Sequence, residues 1–285
     1  MPLNSYQKMC YRWFGKTAEN ATNDKLELDL ERAHIDLRAG AYLSCVWVNT
    51  ILSVVISVIV VVSLILIFSL DILFSVILII FAGITSFLIY FYFINMPKMR
   101  AKARAKKINL HLPYALNFIA AMSAAGVTPT EIFKSLSKQR IYGEIREEAL
   151  WIYRDIELLG RDVITAIKAN INRTPSEKFK EFLQGSVVTV QSGGALKPYF
   201  MNKAEQYTRE NRVEQRQLIE SLGIMAEAYV SAAVAGVLMI LVVIPVMMII
   251  SNQFDPILLY LISVVLIPVI HLGFAGILSS MIQNV

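Results

Sequence analysis

The sequence predicts an all-α integral membrane protein in which two pairs of transmembrane helices flank a helical cytoplasmic domain. Of its 285 residues, 56% are hydrophobic, and the mean hydropathy is +0.55, which is typical of membrane proteins. Asp, Glu, Lys and Arg are absent from 41–70, 72–97, 228–254 and 256–285. Each of these stretches exceeds the about 20 helical residues that cross a bilayer.

The uncharged stretches predict four spans in two hairpins, separated by a long polar block. The first hairpin begins the membrane part of the chain after a polar N-terminal segment, and the second ends it. In chain order, the predicted parts are amphipathic helices in 1–40, a transmembrane hairpin in 41–97 (spans 42–69 and 72–94), a helical domain in 98–226, and a second hairpin in 227–285 (spans 227–250 and 257–280).

The basic residues predict the orientation of these spans. All 27 Lys and Arg lie in 1–40 or 98–216, and the loops between paired spans contain only Asp71 and Asp255 as charged residues. Because Lys and Arg near span ends mark the cytoplasmic side, both termini and the polar block are expected in the cytoplasm. The chain is therefore expected to be a multi-pass protein of the cytoplasmic membrane.

Two amphipathic helices are expected before the first span. In residues 5–16, apolar side chains share one helical face, so this helix either lies in the membrane interface or docks on the rest of the protein. The second helix is expected over 24–38, with Asp24 as its N-cap. Cys10 and Cys45 fall in a cytoplasmic segment and a span, so no disulfide is expected between them.

A basic cluster follows the second span and is expected to lie under anionic lipid headgroups. Its members are Lys98, Arg100, Lys102, Arg104, Lys106 and Lys107. The apolar run 112–124 is shorter than a span and has cytoplasmic flanks. It is therefore expected to form part of the core of the cytoplasmic domain, with Gly126 turning the chain back.

The rest of the polar block contains signals for helix starts and turns. The sequences Thr128-Pro129-Thr130-Glu131 and Thr174-Pro175-Ser176-Glu177 each predict a helix with Thr as the cap and Glu reaching back to it. The segment 185–194 contains Val-Val-Thr-Val, but its apolar residues keep helical spacing. We therefore expect a helix that ends at Gly193 and Gly194, and then a long helix from about 196 into the third span.

The polar block carries 21 basic and 12 acidic residues between positions 98 and 216. A solvated helical surface is one interpretation, and a docking surface for a soluble, partly acidic partner is the other. The docking candidates are Lys134, Lys138, Arg140, Arg173, Lys178 and Lys180. Nucleic acid is not expected as a partner, because the basic excess is modest and concentrated at the membrane.

No catalytic, cofactor or metal site is expected from the sequence. Gly15-Lys16-Thr17 resembles the end of a phosphate-binding loop, but the first glycine of that motif is missing. No His or Cys pair has metal-ligand spacing, and no catalytic signature is present. Glu227 and His271 are the intramembrane polar candidates, for which a structural role is favoured over a functional one.

Two segments resemble a known family. LPYALNFIAAMSAAGVTPTEIF (112–133) and FLQGSVVTVQSGGALKPYF (182–200) are similar to the type II secretion system F domain. This domain occurs in platform proteins of type II secretion, type IV pilus and archaellum assembly. Residues 220–245 resemble its archaeal branch in particular. Pro113, Gly126 and Gly193 match positions of the family pattern and are expected to be structural.

The resemblance implies a six-helix cytoplasmic bundle, an oligomer in the membrane and no enzymatic activity. It also implies docking of a hexameric assembly ATPase, which would be coupled to the extraction of pilin-like subunits from the bilayer. Archaellum platform proteins usually carry two such domains, whereas this chain carries one. It therefore fits a half-length subunit of a tight-adherence pilus system, an archaeal single-unit homologue, or a fragment of a longer protein.

Two other classes of function compete with the platform. A membrane transporter or channel with a cytoplasmic helical regulatory domain is disfavoured by the scarcity of charge within the spans. A membrane-embedded enzyme is disfavoured because the sequence contains no recognisable catalytic motif.

Overall fold

The fold is described from a computed structural model over residues 5–68, 72–250, 256–261, 264–265 and 267–282. Every regular element in these ranges is helical, as the sequence predicted. The chain forms two compact units, Met1–Ala204 and Glu205–Val285. The first unit contains the N-terminal helices and most of the polar block.

The first unit is built from short helices around two long ones. Its helices are α1 Ser5–Asn20, α2 Asp24–Arg32, α3 Ala39–Phe68, α4 Ile72–Ala124, α5 Pro129–Lys138, a 3-10 turn Arg140–Tyr142, α6 Glu144–Glu157, α7 Val163–Arg173, α8 Glu177–Gln191 and the beginning of α9 Leu196–Tyr229. The turn between α6 and α7 contains Gly160 at φ +61°.

Within the described residues, three helical stretches are long and apolar enough to cross a membrane: Ala39–Ile67, Phe74–Ala124 and Leu196–Ile250. Around the fourth predicted span, 257–280, the described residues include α11 Pro256–Leu261 and α12 Ile267–Ile282. A shorter apolar stretch, Ile267–Ser279, lies in α12. The four-span arrangement therefore stays a prediction, and both predicted outer turns fall outside the described residues.

Helix α4 runs without interruption from the second predicted span into the polar block. The predicted domain boundary after residue 97 therefore lies inside a helix. From Ile108 onward, apolar residues at helical spacing are fully buried, including Leu112, Leu116 and Ile119. The apolar run 112–124 is thus the C-terminal end of a membrane helix, and it forms part of the core of the helical domain.

Two prolines lie within α4 without ending it. Pro97 has no N–H to donate to the carbonyl of Phe93 four residues earlier. The hydroxyl of Tyr42 on α3 donates to this Phe93 oxygen instead, at 2.7 Å. The bond satisfies the carbonyl and ties the two long helices together. Pro113 lies further along the same helix and is buried.

The core of the helical domain is made by one apolar face of each helix. Phe182 on α8 is central to it, with ring-centroid distances of 6.1 Å to Phe179 and 5.4 Å to Phe200 of α9. Phe133 on α5 and Ile152 on α6 are also buried. Buried apolar side chains of α5, α6, α8 and α9 thus form part of the interior of the helical domain.

Helix α2 differs from its prediction at both ends. Asn23, rather than Asp24, is the N-cap and accepts from the Lys25 N–H, and the helix ends at Arg32 instead of 38. The end is set by His34, which has φ +52°. Its N–H donates to the Glu31 carbonyl, and the next N–H, from Ile35, donates to Leu30. This is a Schellman ending with histidine where glycine is common.

Glycines make the same ending at two other helices. Gly126 follows α4 with φ +80°, and Gly193 follows α8 with φ +76°. After α4, the Gly126 and Val127 N–H groups donate to Ser123 and Met122. After α8, the Gly193 and Gly194 N–H groups donate to Val190 and Thr189. Both turns satisfy helix carbonyls that would otherwise lack partners.

The second unit contains the end of α9, a π-helical stretch Val230–Ala235, α10 Gly236–Ile250, α11 and α12. The ring of Tyr229, just before the π-helical stretch, lies edge-on to Phe274 of α12 at a centroid distance of 5.3 Å. Helix α10 contains Pro245 in its interior.

Candidate functional site: a charged network and cleft in the helical domain

The exposed face of α4 after its apolar part carries most of the predicted basic cluster. Five members are exposed: Lys98, Arg100, Lys102, Lys106 and Lys107. Arg104 is only 8% exposed and does not share this face. Contact of the basic cluster with lipid headgroups stays a prediction. At about 100° per residue, position 104 falls on the same side of α4 as the buried Ala101 and Ile108.

The guanidinium of Arg104 connects three elements. Its Nε donates to Glu144 Oε2 at 2.9 Å and its Nη2 donates to Glu148 Oε1 at 2.8 Å, both on α6. Its Nη1 donates to the backbone carbonyl of Arg32 at the end of α2. One buried cation therefore holds α2 and α6 against α4.

Glu148 is the fully buried acid of this network, at 0% exposure. Burial raises the pKa of its carboxyl, while the charge and hydrogen bond of Arg104 oppose that rise. Its backbone carbonyl accepts from Asn170 Nδ2 of α7 at 2.9 Å. The network therefore extends across α6 to α7.

A cleft of about 420 Å³ opens beside the network. Trp151 forms its apolar surface: the His34 ring stacks on it at 4.3 Å, and the Arg173 guanidinium carbon lies 4.9 Å from its centroid. The cleft is lined by His34, Asp36, Glu147, Trp151, Arg154, Asp155 and Arg173.

Ion pairs fix the charged wall of this cleft. Asp155 is 6% exposed and accepts from Arg173 at 2.5 Å and from Arg161 at 3.3 Å. Burial lowers the pKa of His34, and the nearby Arg104 charge lowers it further, so its imidazole favours the neutral form. The cleft thus contains an aromatic ring that is in contact with His34 and Arg173 and is surrounded by charges of both signs.

The predicted docking residues are distributed around the helical domain. Lys134 pairs with Glu131 at 2.8 Å and lies 5.9 Å from the ring centre of Tyr153. Arg173 contacts Trp151. Positions 151 and 153 are about 200° apart around α6, so these two basic residues contact different sides of it.

The remaining docking candidates lie on the surface. Lys138 and Arg140 are exposed at the end of α5 and in the 3-10 turn. Lys180 pairs with Glu177 at 3.3 Å. Lys178, which follows Glu177 in the sequence, is half-buried. The structure therefore gives two separate basic groups, one on α5 and the turn after it and one around the start of α8.

The two predicted helix starts have different outcomes. Thr128 is the N-cap residue of α5, but its side chain makes no capping bond to a described residue, and Glu131 pairs with Lys134 instead of reaching back. Thr174 is not a cap of α8. Its N–H donates to Asn170 as the end residue of α7, and Ser176 caps α8 by accepting from Phe179 at 3.1 Å.

The reason for the second difference is that α7 extends up to Thr174, which is the end residue of that helix. A residue before proline is pushed out of the helical region, and Thr174 is extended at ψ 134°. Helix α8 begins after Ser176, with Glu177 as its first residue.

The intramembrane polar candidates both lie in the second unit. Glu227 is exposed near the end of α9. His271 Nδ1 lies 2.8 Å from the Ile267 carbonyl of its own helix, and its ring is edge-on to Tyr229 at 5.8 Å. Within the described residues, no group of three or more His, Cys, Asp or Glu side chains could hold a metal ion.

Sequence reasoning missed the residues at the centre of this site. Arg104 looked like one of six basic residues near the membrane, and nothing marked Glu148 or Trp151 as its neighbours. A signal for Arg104 was available: it occupies the face of α4 that carries Ile108 and Leu112, which are both fully buried. A charge on a core-facing stripe predicts a buried ion pair.

The comparisons with known proteins cover the helical domain and part of the membrane region. Residues 115–244 match the family model of the type II secretion system (T2SS), protein F. An uncharacterized protein of Methanocaldococcus jannaschii is 31% identical over 195 residues, which are 66% of this chain and 33% of that protein. No solved structure is significantly similar to the chain.

Two further relatives come from the same organism. The flagella accessory protein J is 26% identical over 140 residues, covering 49% of this chain and 25% of that protein. A second uncharacterized protein is 29% identical over 149 residues, covering 51% and 43%. The matched region thus spans less than half the length of each of these relatives. The chain thus contains a region, residues 115–244, that is similar to the type II secretion system protein F family.

Proposed function

We propose that this protein is a platform of the cytoplasmic membrane for assembly of a type IV pilus-like filament. In this proposal it docks a hexameric assembly ATPase at its cytoplasmic helical domain and couples the ATPase to extraction of pilin-like subunits from the bilayer. It works as a mechanical adaptor, as a homo-oligomer or with a second platform subunit. The family match and the relative named flagella accessory protein J support this role.

The continuity of α4 carries the proposal. This helix includes a candidate span and, without a break, the buried residues Ile108 to Ile119 of the helical domain. A force on the domain is therefore transmitted along one hydrogen-bonded helix to the membrane. The Tyr42 bond to Phe93 and the contacts of Arg104 with α2 and α6 stiffen the same helix on both sides of Pro97.

The basic group of Lys134, Lys138 and Arg140 is the surface proposed for ATPase docking. Lys138 and Arg140 are exposed, and Lys134 is half-buried. Charged residues at the rim of an interface increase the association rate with an oppositely charged partner, and salt screens this effect. Arg173 is less suited to contact a partner because it already pairs with Asp155 and packs on Trp151. Lys178 and Lys180 form the second docking candidate.

The test is co-purification of the full chain, in detergent, with the assembly ATPase of the same organism. The platform proposal expects a complex that weakens as salt increases. Reversal of the three charges (Lys134→Glu, Lys138→Glu, Arg140→Glu) should lower the affinity about tenfold or more, which corresponds to about 1.4 kcal/mol. The matched control reverses Arg209, Arg212 and Arg216, which are exposed on α9.

The outcomes separate the parts of the proposal. An equal loss of ATPase affinity in the test and control variants would show non-specific charge attraction, and it would exclude the α5 surface as the docking site. If only reversal of Lys178 and Lys180 lowered the ATPase affinity, the docking site would be at the start of α8. A folded wild-type chain that binds no assembly ATPase, alone or with a second platform subunit, would contradict the platform role.

A further inference from the structure

Cys10 and Cys45 lie side by side where α1 packs against α3. Cys10 is fully buried and Cys45 is half-buried. Helix α1 packs along α3, and both cysteines lie in the segments of these helices that face each other. The two residues lie in different segments of the sequence, for which no disulfide is expected, but the fold brings these segments together.

The register of the two helices accounts for this pairing. The Tyr6 hydroxyl on α1 donates to the Asn49 side chain on α3. Cys10 is four residues further along α1, and Cys45 is four residues back along α3. In an antiparallel pair, one helical turn in each direction keeps two residues at the same level and on the same face, so the thiols face each other.

Small residues let the two helices approach closely. A Cβ at Gly40 of α3 would lie 2.8 Å from the Glu19 side chain of α1. Ala18 and Ala41 are buried at 0% and 4% exposure. A disulfide requires Cα atoms about 4.4–6.8 Å apart, and close helix packing through small side chains brings facing residues toward that range.

We propose that Cys10 and Cys45 are a disulfide-forming site that closes when the protein meets a small-molecule disulfide. One protein thiolate attacks the oxidant, forms a mixed disulfide and releases one small thiol. The second protein thiolate attacks the mixed disulfide at the protein sulfur, forms the Cys10–Cys45 bond and releases the second thiol. The protein loses two electrons and two protons, and the oxidant becomes two thiols.

Exposure predicts the order of these steps. Cys45 is half-buried and can reach the oxidant first, whereas Cys10 is enclosed and acts as the resolving thiol. The bond would fasten the amphipathic helix α1 to the apolar helix α3. The proposal stands on the contacts between α1 and α3 and does not depend on the platform role.

The experiment treats the purified full chain, in detergent, with 4,4′-dithiodipyridine. Closure releases two thiopyridones per chain and leaves no pyridyl group on the protein, and peptide mapping finds Cys10 linked to Cys45. The variants Cys10→Ser and Cys45→Ser should not close. An accessible single thiol releases at most one thiopyridone and keeps its pyridyl adduct.

A register control tests the geometry rather than the reagent. Met9 is 42% exposed and lies about 100° away from Cys10 around α1. In the variant Met9→Cys, Cys10→Ala, the two thiols should close at least tenfold more slowly than in the wild type, at equal thermal stability. Equal closure rates would overturn the proposal, as would a wild-type chain that keeps two pyridyl groups or forms disulfide-linked dimers.

Discussion

At the scale of single residues, the bond from Tyr42 to the Phe93 carbonyl compensates for a missing donor at Pro97. We predict that Tyr42→Phe costs about 1–3 kcal/mol of unfolding free energy, because it leaves a carbonyl without a partner. Pro97→Ala restores the helical N–H. The double variant Tyr42→Phe, Pro97→Ala should therefore recover most of the loss.

Urea unfolding of the detergent-solubilised protein gives both values. The control is Tyr92→Phe, since Tyr92 is exposed on the same helix as Phe93. Strictly additive effects of Tyr42→Phe and Pro97→Ala would show that the hydroxyl does not serve the carbonyl freed by proline.

Arg104 provides the second residue-scale prediction. Replacing it by Met leaves Glu148 buried without its cation, which is expected to cost about 3–5 kcal/mol. Arg100→Met, on the exposed side of the same helix, should change the unfolding free energy by less than about 0.5 kcal/mol. Similar losses for the two variants, measured by urea unfolding, would contradict the buried role of Arg104.

The acid of this pair should also make stability depend on pH. Burial raises the pKa of Glu148 above the unfolded value of about 4.3, so the folded state keeps its proton to higher pH. The contribution of Glu148 to stability is therefore greatest below about pH 4.3 and declines as pH rises to the raised folded pKa. In the variant Glu148→Gln, the unfolding free energy should no longer show this decline with pH. Parallel plots of unfolding free energy against pH for the wild type and Glu148→Gln would contradict the prediction.

At the scale of helices, the Schellman endings set where the chain turns. Gly126 has φ +80°, so Gly126→Ala should destabilise the protein by about 1–2 kcal/mol. Gly223 is helical within α9, and a Cβ there would meet nothing within 4 Å. Gly223→Ala should therefore stabilise the chain by up to about 1 kcal/mol. In thermal unfolding, the midpoint temperature should fall for Gly126→Ala and rise for Gly223→Ala.

The helices themselves could be predicted because their signals are local. Hydropathy marked three long apolar helices, and helical spacing marked α8 in spite of its Val-Val-Thr-Val sequence. The end of α2 at His34 could not be predicted, because a histidine with positive φ is tolerated there through stacking on Trp151, which is distant in sequence. Thr174 failed as a cap because the preceding helix α7 extends up to it.

At the scale of the whole molecule, the site required knowledge of which helix faces meet. Composition indicated a basic block, but it could not separate Arg104 from its exposed neighbours. The pairing of Arg104 with Glu148 joins residues 44 positions apart, and such contacts depend on packing rather than on any local pattern. The same holds for the thiols of Cys10 and Cys45.

The number of spans can be tested by finding on which side of the membrane each loop and terminus lies. Cysteines are introduced singly at Lys106, Asp71 and Asn284 in a background with Cys10→Ala and Cys45→Ala. A membrane-impermeant maleimide should label positions 106 and 284 only in inside-out vesicles, and position 71 only in intact cells. Labelling after solubilisation provides the total for each site. If position 284 were labelled in intact cells, the region of α11 and α12 would not cross the membrane as one span. If position 106 were labelled there, the helical domain would lie outside the cell, and docking of a cytoplasmic ATPase would be ruled out.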